Sequence, residues 1–347
     1  MSVGHESGHR FGSPPLAFAW AQLVDHLALE AAGLSELARH LQDTAPASAR
    51  LSDDPMTVER GLRRLRTRAH HEGNKYGRLL LRCYGLPGSV SAWAREMGQY
   101  HSRSSDLPVT LRADQLRLWD RPPIAESLDA VWVHLGLAMV ALRRLDLDRT
   151  RREAELAGET LSARRPAAAV ELLLLRARLA SDVDSDETHE ILSEASDALA
   201  TLPSEPDRAC YQARCLDQRA YLKNRGWRED PARLEGGLAL YDAIPEDSAH
   251  AFVRFRRDHG RAFCLWRLGH PAEGLVAARA AGRHAGDGGY IRFRLMAAML
   301  EAHIVGPGPA RDAVLTRCHR MARTLGDASF LDQLTRLGPA PTKPGLR

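Results

Sequence analysis

The stretch AFVRFRRDHGRAFCLWRLGHPAEGLVAARAAGRHA, residues 251–285, decides the fold class of this chain. Its first half carries apolar residues at helical spacing and ends at Leu268-Gly269, where glycine favours a helix stop. Its second half places small residues along one helix face, at Gly274, Ala278 and Ala281. Because small residues let two helices approach closely, the stretch predicts an antiparallel helical pair.

The same pairing of helical segments recurs through about 124–337. Strand-like alternation is absent there, and proline or glycine separates the segments. A spacing of about 34–45 residues per pair is typical of an α-solenoid. The pattern predicts ten helices, near 125–145, 148–163, 166–181, 187–202, 206–225, 230–243, 247–268, 271–285, 289–304 and 309–325.

Two of these units resemble tetratricopeptide (TPR) repeats: residues 251–285, and residues 132–163 with Leu135, Gly136 and Met139 followed by the small residues Thr150, Ala154 and Ala157. The resemblance implies a solenoid that binds a peptide or protein in its groove and is not an enzyme. An irregular helical domain of similar periodicity is the alternative. Candidate partner-binding residues form a basic face, Arg254, Arg256, Arg257 and Arg261, although a solvated outer face is the simpler explanation of these charges.

A basic segment, residues 60–82, carries a local net charge of +7 in a chain whose total is +4. Such a local positive field on a near-neutral protein predicts binding of a polyanion, with nucleic acid as the first candidate. Its first half belongs to a predicted helix from Pro55 to about His71, and helix periodicity gives that helix two faces. Val58, Leu62 and Leu65 lie on the buried arc with Ala69, and the opposite arc, exposed to solvent, carries Arg60, Arg63, Arg64, Thr67 and His71.

The region around this helix resembles the helix-turn-helix domains of bacterial regulators. Residues 35–41, SELARHL, resemble the positioning helix, and residues 57–65, TVERGLRRL, resemble the recognition helix. Residues 42–54 connect these two helices, and this connection is longer than the turn usual in that family. The resemblance implies that six residues face DNA: Thr57, Arg60, Arg63, Arg64, Lys75 and Arg78. The alternative is a basic helix that only solvates its domain or pairs with acidic repeats.

The composition indicates a folded protein and argues against a disordered chain or a membrane-spanning one. The chain is 44% hydrophobic and 27% charged, as in folded soluble proteins, and its apolar runs are too short to span a membrane. Five scattered cysteines without a CxxC pair predict reduced thiols, and the N-terminus lacks a signal-peptide core. We expect a cytoplasmic protein.

Catalytic and metal signatures do not appear in the sequence. Phosphate-loop, dinucleotide-binding, HExxH and GxSxG patterns are all missing. The acidic run 182–187 lacks the glycine of a calcium loop, and His5 and His9 lie on a polar tail. We expect no enzyme, no cofactor and no metal.

These observations predict an all-α protein, a small helix-turn-helix-like domain followed by a TPR-like α-solenoid. The predicted divisions are a disordered tail (1–15), the basic domain (16–88), a connector (89–123), the repeats (124–337) and a second disordered tail (338–347). The expected function is a DNA-binding regulator whose repeats sense a peptide or protein. A homodimer is expected if the DNA target is palindromic. The alternative is a TPR-like adaptor in a protein or ribonucleoprotein complex.

Overall fold

The described part of the chain is entirely helical. The computed structural model describes residues 17–67, 74–180 and 186–338, and these contain α-helices and short 3-10 helices without a strand. The all-α prediction is therefore confirmed. The predicted tail 1–15, with His5 and His9, lies outside the described residues, as do all but Gly338 of the second tail and the start of the acidic run 182–187.

The chain divides into two compact units. The first unit consists of the described residues within 17–95 together with Gln115–Ala130. The second consists of Glu96–Asp114 and the described residues within 131–338. The predicted connector thus contributes residues to both units. The sequence pattern predicts a short helical connector, and this region contains two helices whose bounds the pattern did not give. The first six helices are α1 Trp20–Glu30, α2 Leu34–Thr44, α3 Pro55–Thr67, α4 Lys75–Cys83, α5 Gly88–Gly98 and α6 Val109–Trp119.

Helices α1 to α4 pack around one apolar core in the first unit. The residues that helix periodicity placed inward on α3, Val58, Leu62 and Leu65, are at most 3% exposed. Asp54 caps α3, because its carboxylate accepts hydrogen bonds from the backbone N–H groups of Met56 and Thr57 at 3.0 and 3.1 Å. The remaining buried core residues are Trp20, Leu23, Val24, Leu27, Leu37, Ala38, Leu41, Leu79 and Leu80.

A glycine in the middle of α3 has a packing role. Gly61 is buried, and a Cβ atom at this position would lie 2.2 Å from Cε2 of the Tyr76 ring. The ring therefore lies directly on the α3 backbone. Glycine in mid-helix costs about 1 kcal/mol of helix stability relative to alanine, but a larger residue would leave no room for this contact between α3 and α4.

We expect Gly61→Ala to lower the free energy of unfolding by about 1–3 kcal/mol, because the clash with Tyr76 exceeds the gain in helix propensity. Urea denaturation measures the effect. The matched control is Gly282→Ala, where a Cβ would meet only Ala297 at 3.8 Å. That control should be neutral or raise stability by up to about 1 kcal/mol. Equal effects at the two glycines would contradict the packing role of Gly61.

The second unit contains the helices predicted from the repeat pattern. All ten are present with ends shifted by a few residues, and one further helix, α17, follows them. Their bounds are α7 Ala130–Arg143 (whose first residue falls in the first unit), α8 Leu147–Thr160, α9 Pro166–Ala180, α10 Asp186–Ala198, α11 Glu205–Asn224, α12 Ala232–Asp242, α13 Ala251–Arg267, α14 Pro271–Asp287, α15 Ile291–Val305, α16 Pro309–Leu325 and α17 Ala328–Leu337.

Packing in this unit follows the order of the chain. From α8 onward each helix packs against the next, and α9, α11, α13 and α15 also pack against one another in turn. Contacts between alternate helices accompany stacked two-helix repeats. The arrangement is consistent with a TPR-like helical repeat.

The pair α13–α14 explains one departure from the TPR pattern. Gly274 occupies a position where these repeats usually have alanine. Here a Cβ atom would lie only 3.0 Å from the carbonyl oxygen of Ala262. The two helices approach closely along the small residues Ala278 and Ala281, which are buried.

Candidate functional site

The structure places the predicted basic face of α3 at the surface. Arg60, Arg63 and Arg64 are all exposed. Arg63 donates to Glu59 at 2.5 and 2.9 Å, and Ser35 of α2 donates to the same carboxylate at 2.8 Å. These hydrogen bonds, Ser35 first and Arg63 second, lower the pKa of Glu59, so that this carboxylate partly neutralises Arg63. Arg60 and Arg64 form no ion pair with a described residue.

The other predicted DNA-facing residues differ in how free their polar groups are. The half-buried Thr57 uses its hydroxyl to donate to Asp54 at 2.6 Å. On α4, Lys75 is exposed and donates to the carbonyl oxygen of Arg50. Arg78 lies one turn further along the same face, exposed and without an ion pair to the described part of the chain.

Three of the predicted partner-binding arginines are occupied by neighbours within the second unit. Arg254 donates to His284 at 3.3 Å and to a backbone carbonyl of the preceding loop. Arg257 pairs with Glu246 and with an aspartate on its own helix, at 2.7 and 3.2 Å. Arg261 pairs with an aspartate of α12. Their neighbour Arg256 points elsewhere and lines a cavity.

This cavity lies within the second unit and has a volume of about 880 Å³. Its walls come mainly from alternate helices, α7, α9, α11, α13, α15 and α17, together with Tyr100. Only one carboxylate, Asp217, lines it among the described residues. Eight arginines do so: Arg143, Arg178, Arg214, Arg225, Arg228, Arg256, Arg267 and Arg292.

Tyr100 lies among three of these arginines. The guanidinium carbons of Arg214, Arg292 and Arg256 lie 4.7, 5.0 and 5.2 Å from the centre of its ring. Arg256 also donates to the Tyr100 hydroxyl at 2.5 Å. Burial alone would raise the pKa of Tyr100, but the positive charges outweigh burial and lower it. The surroundings of this hydroxyl therefore stabilise negative charge on oxygen.

Carboxylates form ion pairs with the arginines that line the cavity. Glu171, only 1% exposed, accepts two hydrogen bonds from Arg214 at 2.6 and 2.8 Å. Asp217 pairs with Arg256 at 3.0 Å. Asp327, also 1% exposed, accepts from Arg143 at 2.7 Å. Residues far apart in the chain are thereby fixed around Tyr100.

Aromatic side chains and further cations form another part of the wall. The guanidinium carbon of Arg267 lies 3.6 Å from the ring centre of Trp266 and 4.8 Å from that of Trp227. Arg228 is exposed and lies over Trp227 at 5.0 Å. Neither Arg228 nor Arg267 makes an ion pair with a described carboxylate. The wall thus offers flat surfaces next to positive charge.

No protein-family model, no curated protein and no solved structure matches this chain. Within the described ranges, no helix is long and apolar enough to cross a membrane, and no three His, Cys, Asp or Glu side chains are grouped to hold a metal ion. Both sites have the chemistry of anion binding.

Sequence reasoning missed the cavity, although a signal for it exists. One arginine recurs on each successive first helix, about 35 to 42 residues apart, close to one repeat length. Each of these arginines lines the cavity: Arg143, Arg178, Arg214, Arg256 and Arg292. Their positions within the helices drift from the last turn of α7 to the first turn of α15, so alignment by helix phase does not reveal them.

Proposed function

We propose that this protein is a non-enzymatic, cytoplasmic DNA-binding regulator. Its first unit binds duplex DNA through the basic face of α3 and the neighbouring α4. Its repeat unit binds a peptide or protein partner that changes the DNA-binding state. The observation that carries the proposal is the two-sided α3, with an apolar side fixed in the core and Arg60 and Arg64 exposed without an ion pair to a described residue.

A helix-turn-helix-like arrangement is part of this proposal. Helix α2 packs against α3, and the hydrogen bond from Ser35 to Glu59 joins the two. In this arrangement α2 positions the domain, and α3 presents Thr57, Arg60, Arg63 and Arg64 to the DNA. Arginine pairs bidentately with phosphate or with a guanine edge, and Lys75 and Arg78 add contacts to the backbone.

The experiment is salt-dependent binding of the full chain to a fluorescently labelled DNA duplex. Neutralising three or four phosphates predicts a slope of log affinity against log salt concentration of about −3. Affinity should therefore fall by more than tenfold between about 50 and 200 mM NaCl. Absence of binding at low salt, or an affinity that does not change with salt, would falsify the DNA-binding proposal.

An adaptor in a protein or ribonucleoprotein complex is the second candidate. Two large apolar side chains of the first unit favour it, because Leu29 is 82% exposed and Met56, in the first turn of α3, is 68% exposed. Apolar residues beside a basic helix suit a protein partner. Single-stranded RNA in the same binding assay separates the candidates, since an adaptor of this kind would prefer RNA or bind neither nucleic acid.

A further inference from the structure

The arginine-lined cavity has properties that a peptide groove does not require. Three of its arginines have a buried Nε–H group without a hydrogen-bond acceptor in the described part of the chain: Arg256, Arg267 and Arg292. Arg256 is only 5% exposed. These Nε atoms are out of contact with solvent, so a ligand in the cavity would meet the other nitrogens of the guanidinium groups. Eight arginines and a single carboxylate line the cavity, and Arg228 and Arg267 form no ion pair with a described residue, so the lining carries positive charge that an anionic ligand would neutralise.

We propose that this cavity binds a nucleotide that carries two or more phosphates. The proposal goes beyond the DNA-binding regulator, because it adds a small-molecule site inside the repeat unit. The phosphates lie at the arginine cluster around Tyr100, and the base stacks on the wall formed by Trp227, Trp266 and Arg267.

The arginines around Tyr100 are the reason for placing the phosphates of the nucleotide at this end of the cavity. Arg143 and Arg292 share Asp327, with Nε of Arg292 3.8 Å from its carboxylate. Asp106, which accepts from the backbone N–H groups of Ile291 and Arg292, is a second negative charge near both guanidinium groups. The environment already stabilises negative charge at the Tyr100 hydroxyl. Guanidinium forks fit phosphate oxygens bidentately and hold several negative charges in a small volume. His259 contributes no positive charge to this end, because burial and then Arg256 lower its pKa to about 4 and leave the imidazole neutral.

The tryptophan rings are the reason for placing the base of the nucleotide at the other end of the cavity. Nucleobases stack on tryptophan rings and on guanidinium planes without needing a particular sequence of hydrogen bonds. Trp227 is half-buried in the loop after α11, and Trp266 is half-buried on α13. The volume of about 880 Å³ lies within the range of small-ligand sites, roughly 300–1,000 Å³. An acidic peptide would use the arginines but has no need of this stacking wall.

Isothermal titration of the full chain tests the proposal with ATP, GTP, CTP and UTP as probes. Pyrophosphate, adenosine and a hexaglutamate peptide complete the set. We expect at least one triphosphate to bind with a dissociation constant of about 0.1 mM or tighter, pyrophosphate to bind more weakly, and adenosine not to bind measurably. No binding by any triphosphate below about 1 mM, or tighter binding of the peptide, overturns the proposal.

Two variants divide the site into its halves. Trp227→Ala should weaken triphosphate binding about tenfold and leave pyrophosphate binding unchanged, because it removes only the stacking surface. Tyr100→Phe keeps the ring but removes the hydroxyl that orients Arg256, and should weaken both ligands about tenfold. Arg320→Gln, on an exposed face of α16, is the matched surface control. Circular dichroism verifies that each variant is folded.

The result is independent of DNA binding. A chain that binds DNA but no triphosphate loses only the cavity proposal. A chain that binds a triphosphate but no DNA loses only the regulator proposal. Loss of triphosphate affinity in the Arg320→Gln control, or equal weakening of ATP and pyrophosphate in Trp227→Ala, contradicts the assignment of the two ends.

Discussion

Replacing Glu171 with alanine is expected to destabilise the second unit by about 3–5 kcal/mol, a large part of the stability of an ordinary domain. The substitution leaves the guanidinium of Arg214, 6% exposed, buried without its counter-ion. The Tyr211 hydroxyl and the Tyr100 backbone N–H also lose their acceptor, Oε2 of Glu171, at 3.1 and 3.4 Å. Chemical denaturation followed by circular dichroism measures the loss.

A surface ion pair provides the control for this substitution. Asp148 pairs with Arg151 at 3.1 Å, but its side chain is 95% exposed. Exposed pairs contribute little to stability, so Asp148→Ala should leave the unfolding midpoint almost unchanged. A double variant, Glu171→Met with Arg214→Met, removes both charges and should recover part of the lost stability. Equal destabilisation in the single and double variants would show that lost packing, not a buried charge, causes the effect.

Helix positions in the repeat region followed from the sequence because local signals determine them. Apolar residues at helical spacing, with glycine or proline between segments, predicted all ten helices from α7 to α16. The bounds of helices α5 and α6 could not be predicted, because polar residues interrupt their apolar positions, and the sequence indicated only a short helical connector. In α6 the buried residues include both polar and apolar side chains: Val109, Arg112, Ala113, Gln115, Leu116 and Trp119. A periodicity argument cannot detect a buried face of that kind.

The two basic sites differ in how far the sequence could predict them. The exposed face of α3 follows from the position of Arg60 and Arg64 on a single helix. The sequence could not show that Ser35 donates to Glu59, the carboxylate that accepts from Arg63, because Ser35 comes from another helix. The cavity depends on residues as distant as Tyr100 and Arg292, which only the packing of the repeats brings together. Its recurring arginines were visible, but their common environment was not.

The charge-reversal variant Arg60→Glu/Arg64→Glu is expected to lower DNA affinity at least 100-fold at low salt. It removes two phosphate contacts and adds two repulsive charges, so the slope of log affinity against log salt should fall by about 2. Both side chains are exposed and form no ion pair with a described residue, so folding should be unaffected. Fluorescence anisotropy with the labelled duplex measures the affinity, and thermal unfolding verifies the fold.

A second reversal separates a local contact from an effect of net charge. Arg317 and Arg320 are exposed on α16 in the second unit, and Arg317→Glu/Arg320→Glu changes the total charge by the same amount. If α3 contacts the DNA, this control should keep its affinity within about threefold and its slope unchanged, because neither residue supplies a proposed phosphate contact. Similar losses in the two double variants would mean that the whole chain attracts DNA through its overall charge, and α3 would then have no special role.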